Sequence, residues 1–102
     1  MAQFMVMHTY KKSLEEYAAF ATPERMAEFA KAMAAGQTPA RCLKTWDSMN
    51  YGQPDYTFCL WEGASAADVQ ASIDASGLSE FITSDVRPVD ETDWAMIAQA
   101  AG

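Results

Sequence analysis

The sequence predicts an α+β domain: one four-stranded antiparallel sheet with two main helical segments on one of its faces. Three observations lead to this fold class. Four short segments are rich in apolar, aromatic and β-branched residues at strand-like spacing. Helix-start signals fall between the first and second of these segments, after the third, and after the fourth for a short terminal helix. The resulting order, strand, helix, strand, strand, helix, strand, is that of the split βαβ unit.

The first strand is read as Gln3 to Tyr10, with Phe4, Val6, His8 and Tyr10 on one face and Met5, Met7 and Thr9 on the other. Ser13 followed by Glu16 forms a capping box, and Leu14, Tyr17, Ala18 and Ala21 recur behind it at helical spacing. Thr22 before Pro23 starts a second helix, because proline is tolerated where its missing N–H costs nothing. Its stripe of Met26, Phe29, Ala30 and Met33 is expected to pack on the sheet, and Gly36 ends it. Arg41 to Met49 and Tyr56 to Glu62 flank the turn cluster Asn50 to Pro54 and form a hairpin. Ser65 with Asp68 opens a helix through Val69, Ser72 and Ile73 that Gly77 closes. Ile82 to Val89 supplies the last strand, and Asp90 to Asp93 cap a terminal helix, Trp94 to Ala100. The whole of 1–102 is thus read as a single ferredoxin-like βαββαβ domain with an extra C-terminal helix.

An antiparallel sheet with one wet face alternates cleanly between polar and apolar residues. Here Phe4, Val6, Tyr10, Phe58 and Leu60 occupy even positions and Met5, Met7, Cys59 and Trp61 odd ones, so neither face suits water. Helices cover one face. A second subunit is the simplest cover for the other, which predicts a homodimer whose two sheets close into a dimeric α+β barrel.

Composition narrows the partners. Seven Lys and Arg against fourteen Asp and Glu give a net charge of −7, a field that repels nucleic acid and anionic lipid. No apolar run approaches the ~20 residues of a membrane span, and the N-terminus has no charged segment followed by a signal core. The expected location is the cytoplasm. The five glycines are scattered, so no phosphate loop and no nucleotide cofactor are expected, and no G-x-S-x-G elbow is present. Cys42 and Cys59 lack C-x-x-C spacing and are read as small buried hydrophobes kept as free thiols.

Three segments carry a resemblance: M-A-Q-F-M-V-M-H at 1–8, F-C-L-W-E-G-A-S-A-A-D-V-Q at 58–70, and D-V-R-P-V at 85–89. Over about a quarter of the chain, it resembles the nickel-binding-protein-like family of small bacterial dimeric α+β barrel proteins. The resemblance implies a metal site for Ni2+ or another divalent transition metal, with His8 and the strand-ending Glu62 as ligands. His8 is the only histidine, which excludes a site of several histidines within one subunit. Imidazole with carboxylates suits such ions.

The fold suggests a second site. Barrel-type dimers keep a cavity between sheet and helices, and Tyr10, Trp46, Trp61 and Arg87, with Tyr56 nearby in sequence, are its candidate lining. Two functions therefore stand: a small binding protein that holds a metal ion, or a cofactor-independent enzyme or carrier acting on an aromatic or polyketide-like metabolite. Isomerase, cyclase and monooxygenase chemistry would all fit the latter. His8 is the one side chain with an ordinary pKa near neutrality, and no nucleophile is assigned beside it.

Overall fold

A computed structural model describes residues 1–102, the side chains of Pro54 and Tyr56 excepted. The chain runs β1 (Ala2–Tyr10), α1 (Leu14–Phe20), α2 (Pro23–Ala34), β2 (Arg41–Ser48), β3 (Gln53–Gly63), α3 (Ala66–Ala75), β4 (Ile82–Val89) and α4 (Trp94–Ala101), with short 3₁₀ turns at Met49–Tyr51 and Leu78–Glu80. One antiparallel sheet in the order β2-β3-β1-β4 holds all four strands, so the ferredoxin-like α+β class and the C-terminal helix are both present. Among the described residues, no helix is long and apolar enough to cross a membrane.

The caps act where the sequence places them. Ser13 Oγ accepts the Glu16 N–H at 3.1 Å, Thr22 Oγ1 that of Arg25 at 3.2 Å, and Ser65 Oγ that of Asp68 at 3.1 Å. Each satisfies an amide that the helix itself leaves orphaned. The hairpin departs from expectation, because β3 begins at Gln53 rather than Tyr56. Gly52, at φ +74°, turns the chain tightly enough that Gln53 already pairs with Ser48. β4 is an edge strand, which is why it tolerates Pro88.

The strand register defines two faces. On the inner face the rows run Pro88–Phe4–Trp61–Cys42, Val86–Val6–Cys59–Thr45 and Ser84–His8–Thr57–Asp47. Phe4, Val6, Cys59 and Trp61 are buried there beneath Val69 and Ile73 of α3 and Leu78. The fully buried Ser72 ties α3 to the entrance of β2, accepting the Ala40 N–H and donating to the Asp68 carbonyl, both at 2.9 Å.

The outer rows run Arg87–Met5–Leu60–Lys44 and Asp85–Met7–Phe58–Trp46. Met7 is 56% and Trp46 43% exposed, so this apolar strip stays open in the single chain. α4 likewise exposes Trp94, Met96 and Ile97.

The expectation for α2 is met in part. Phe29 and Met33 pack against the buried core, but neither α1 nor α2 contains a buried residue. Met26, Phe29, Ala30 and Met33 also line a cavity between the helix and the strands.

Candidate functional site

The cavity has a volume of about 270 Å³. Its roof is the α2 stripe with Tyr17 of α1, and its floor is the inner face of β1, β2 and β3. Phe29 and Trp61 place their rings 6.4 Å apart along its wall, and most of its surface is apolar. Polar groups lie mainly on the floor, among them His8, Tyr10, Thr45 and Thr57, with the two thiols, and Tyr17 adds a phenol in the roof. A mainly apolar pocket with a few convergent polar groups is the ordinary form of a small-molecule site.

His8 comes from the buried face of β1 and is only 6% exposed. Its Nδ1 lies 3.1 Å from the Thr83 carbonyl oxygen and 3.2 Å from Ser84 Oγ. A carbonyl oxygen can only accept, so Nδ1 carries the proton and Nε2 keeps a lone pair. Nε2 stands 3.3 Å from Cys59 Sγ. Burial pushes the imidazole pKa below its ordinary value, against the raising effect of the Thr83 bond, so the ring is neutral near pH 7. Both nitrogens are thus engaged.

The neighbouring groups continue this network. Tyr10 packs edge-on against Tyr17, centroids 5.3 Å apart, and its hydroxyl lies 3.3 Å from Thr57 Oγ1. Burial raises the Tyr17 phenol pKa, so it stays protonated. The Trp61 indole N–H is buried without a hydrogen-bond partner of normal geometry among the described residues. A buried donor of this kind costs about 1–3 kcal/mol until an acceptor meets it.

Cys42 and Cys59 are both free, the first half-buried and the second buried. Thr45 Oγ1 is 3.7 Å from Cys42 Sγ and 3.1 Å from Cys59 Sγ. The neighbouring Cys59 side chain, assisted by Thr45, draws the Cys42 pKa down to about 7 although burial opposes it. The neighbouring Cys42 and burial push the Cys59 pKa up.

His8, Tyr10 and Trp61 therefore meet at the cavity, and three other candidates do not. Glu62 lies on the outer face in an ion pair with Arg41, and its partner on β1 is Gln3, whereas His8 pairs with Thr57. Five residue steps at ~3.4 Å each, and the thickness of the sheet, separate the two presumed ligands. Trp46 is also on the outer face, its ring 5.7 Å from that of Phe58. Arg87 forms a two-pronged pair with Asp85 there, at 3.1 and 3.3 Å. The Tyr56 side chain lies outside the described residues. Among the described residues no group of three or more His, Cys, Asp or Glu is arranged to hold a metal ion.

The thiol pair and its link to His8 escaped the sequence reading. Seventeen positions separate the two cysteines, and only the β2–β3 pairing brings them together. Fold and cavity together define a ferredoxin-like α+β domain with a mainly apolar cavity between α2 and the sheet. Comparison with protein-family models, curated proteins and solved structures returns no match for the chain.

Proposed function

We propose that this domain is a binding module for a small aromatic or similarly compact apolar molecule bearing a hydrogen-bond-accepting oxygen. The cavity carries this reading. Apolar cavities of ~150 Å³ take up benzene, and pockets for drug-sized ligands begin near ~300 Å³. A volume of about 270 Å³ thus suits one ring with a substituent. Phe29 and Trp61 offer aromatic walls, and the Tyr10, Thr45 and Thr57 hydroxyls favour a ligand that brings an acceptor.

Binding is favoured over turnover of that ligand, because a general base must have a nitrogen free for the substrate proton. Both ring nitrogens of His8 are already engaged. The nickel reading loses its ligand pair, since His8 and Glu62 sit on opposite faces.

The module acts as a homodimer joined through the outer sheet face. Met5, Met7, Phe58 and Leu60 supply the apolar centre of that face, and both signs of charge border it, with Arg87 and Lys44 beside Asp85 and Glu62. A two-fold axis through such a patch sets its own acids against its own bases, which favours a second copy over an unrelated partner.

Titration with acetophenone, followed by tryptophan fluorescence, tests the binding claim. Saturable binding tighter than that of benzene is expected. Ala30→Phe, which adds a ring to the cavity roof, should weaken it by about tenfold or more. No binding at millimolar ligand, or unchanged binding in Ala30→Phe, overturns the reading.

A further inference from the structure

We propose that Cys42 and Cys59 form a two-thiol site that reduces a hydroperoxide and closes to a disulfide, with His8 receiving the Cys59 proton. Chain geometry sets up the pair. Cys42 and Thr45 are three residues apart, an odd separation that in a regular strand sends their side chains to opposite faces. The register shift between Cys42 and Lys44 is a β-bulge, and it restores both to the inner face: Cys42 pairs with Trp61 and Thr45 with Cys59. Bulges commonly re-aim a side chain beside a functional site. Here the result is two sulfurs within 3.7 Å of one hydroxyl oxygen.

The two thiols are not equivalent. Both sulfurs line the cavity, but Cys42 is half-buried whereas Cys59 is only 7% exposed, so a small oxidant entering there reaches Cys42 more readily. Thr45 Oγ1 lies against both sulfurs, and their surroundings favour the thiolate at Cys42 and the thiol at Cys59. A thiolate is the reactive form of cysteine, which makes Cys42 the attacking sulfur. Behind Cys59 stands the lone pair of His8 Nε2, at 3.3 Å.

The chemistry balances with one hydroperoxide as the oxidant. The Cys42 thiolate attacks the terminal peroxide oxygen and the O–O bond breaks. The leaving alkoxide or hydroxide takes from solvent the proton that Cys42 released on ionising, and Cys42 becomes a sulfenic acid. Cys59 passes its proton to His8 Nε2, attacks the Cys42 sulfur and breaks the S–O bond. The departing hydroxide takes the proton from His8 and leaves as water. Two thiols have then supplied two electrons, and the products are a disulfide, an alcohol or water, and water. None of these steps needs an aromatic ligand in the cavity, so the site stands apart from the binding reading.

The test uses the whole reduced protein with stoichiometric hydrogen peroxide, acid quenching, and mass analysis of intact chain and peptides. Loss of two hydrogen atoms in an intramolecular Cys42–Cys59 disulfide, reversed by dithiothreitol, is expected. Cys59→Ser should stop at a Cys42 sulfenic acid trapped by dimedone, and Cys42→Ser should leave Cys59 unmodified over the same time. His8→Gln should keep Cys42 oxidation but slow disulfide closure roughly a hundredfold. Brief iodoacetamide labelling of the unaltered protein needs no variant to fold, and should alkylate Cys42 at least about tenfold faster than Cys59. An unchanged mass, a disulfide between chains only, equal labelling of the two cysteines, or closure unaffected by His8→Gln overturns the proposal.

Discussion

His8 Nε2 and Cys59 Sγ lie 3.3 Å apart, in a contact that joins β1 to β3 across the buried face of the sheet. The imidazole reaches this position as a neutral donor to the Thr83 carbonyl, with burial holding its pKa below the unfolded value of about 6.5. The unfolded chain therefore binds a proton at a higher pH than the folded one. Stability is full above the unfolded pKa, falls as pH drops through it, and levels off once the folded pKa is passed. Urea unfolding should show a lower midpoint at pH 5 than at pH 7.5. His8→Gln, which cannot take up a proton, should flatten that pH dependence; an equal drop in both proteins would contradict the assignment.

Ser72→Ala should destabilise the fold by about 1–3 kcal/mol in denaturant titration. The cost comes from the buried Ala40 N–H, which the Ser72 hydroxyl satisfies at 2.9 Å and which an alanine leaves unpaired. A loss below about 0.5 kcal/mol would mean that water or a backbone shift meets that amide instead.

Gly63→Ala is expected to cost a similar about 1–3 kcal/mol for a different reason. An added Cβ would meet Ala40 Cβ at 2.8 Å, with the Ala40 backbone close behind at 3.6 Å. The double variant Gly63→Ala with Ala40→Gly should recover part of the loss, because it removes the atom in the way.

Much of the fold was legible because it rests on local signals. The capping residues Ser13, Thr22 and Ser65 and the glycines at 36, 52 and 77 mark turns and helix ends without help from distant parts of the chain. The candidate site was legible in part. His8, Tyr10 and Trp61 reach the cavity by the strict alternation of β1 and β3, but sequence alone did not say which alternating set faces the helices. Trp46 and Arg87 were placed on the wrong side for that reason. Cys42 was hidden more deeply, because a bulge reverses the parity of β2 and no residue pattern announces it. The α2 stripe was legible as packing but not as a cavity wall, because a helix over a cavity and a helix over a filled core have the same apolar period.

Met7→Glu places a charge at the centre of the open sheet face, next to Phe58 and Asp85. Equilibrium sedimentation should show a dimer for the unaltered protein and a folded monomer for this variant. A monomeric unaltered protein at micromolar concentration would remove the dimer. An unshifted variant would place its interface elsewhere.

Amide and indole chemical shifts, followed by NMR while acetophenone is added, test the central claim most directly. Saturable changes at Phe29, Thr57 and the Trp61 indole N–H are expected, with Met7 and Trp46 on the outer face unmoved. Shifts confined to the outer face, or none at millimolar ligand, would contradict the cavity as a binding site.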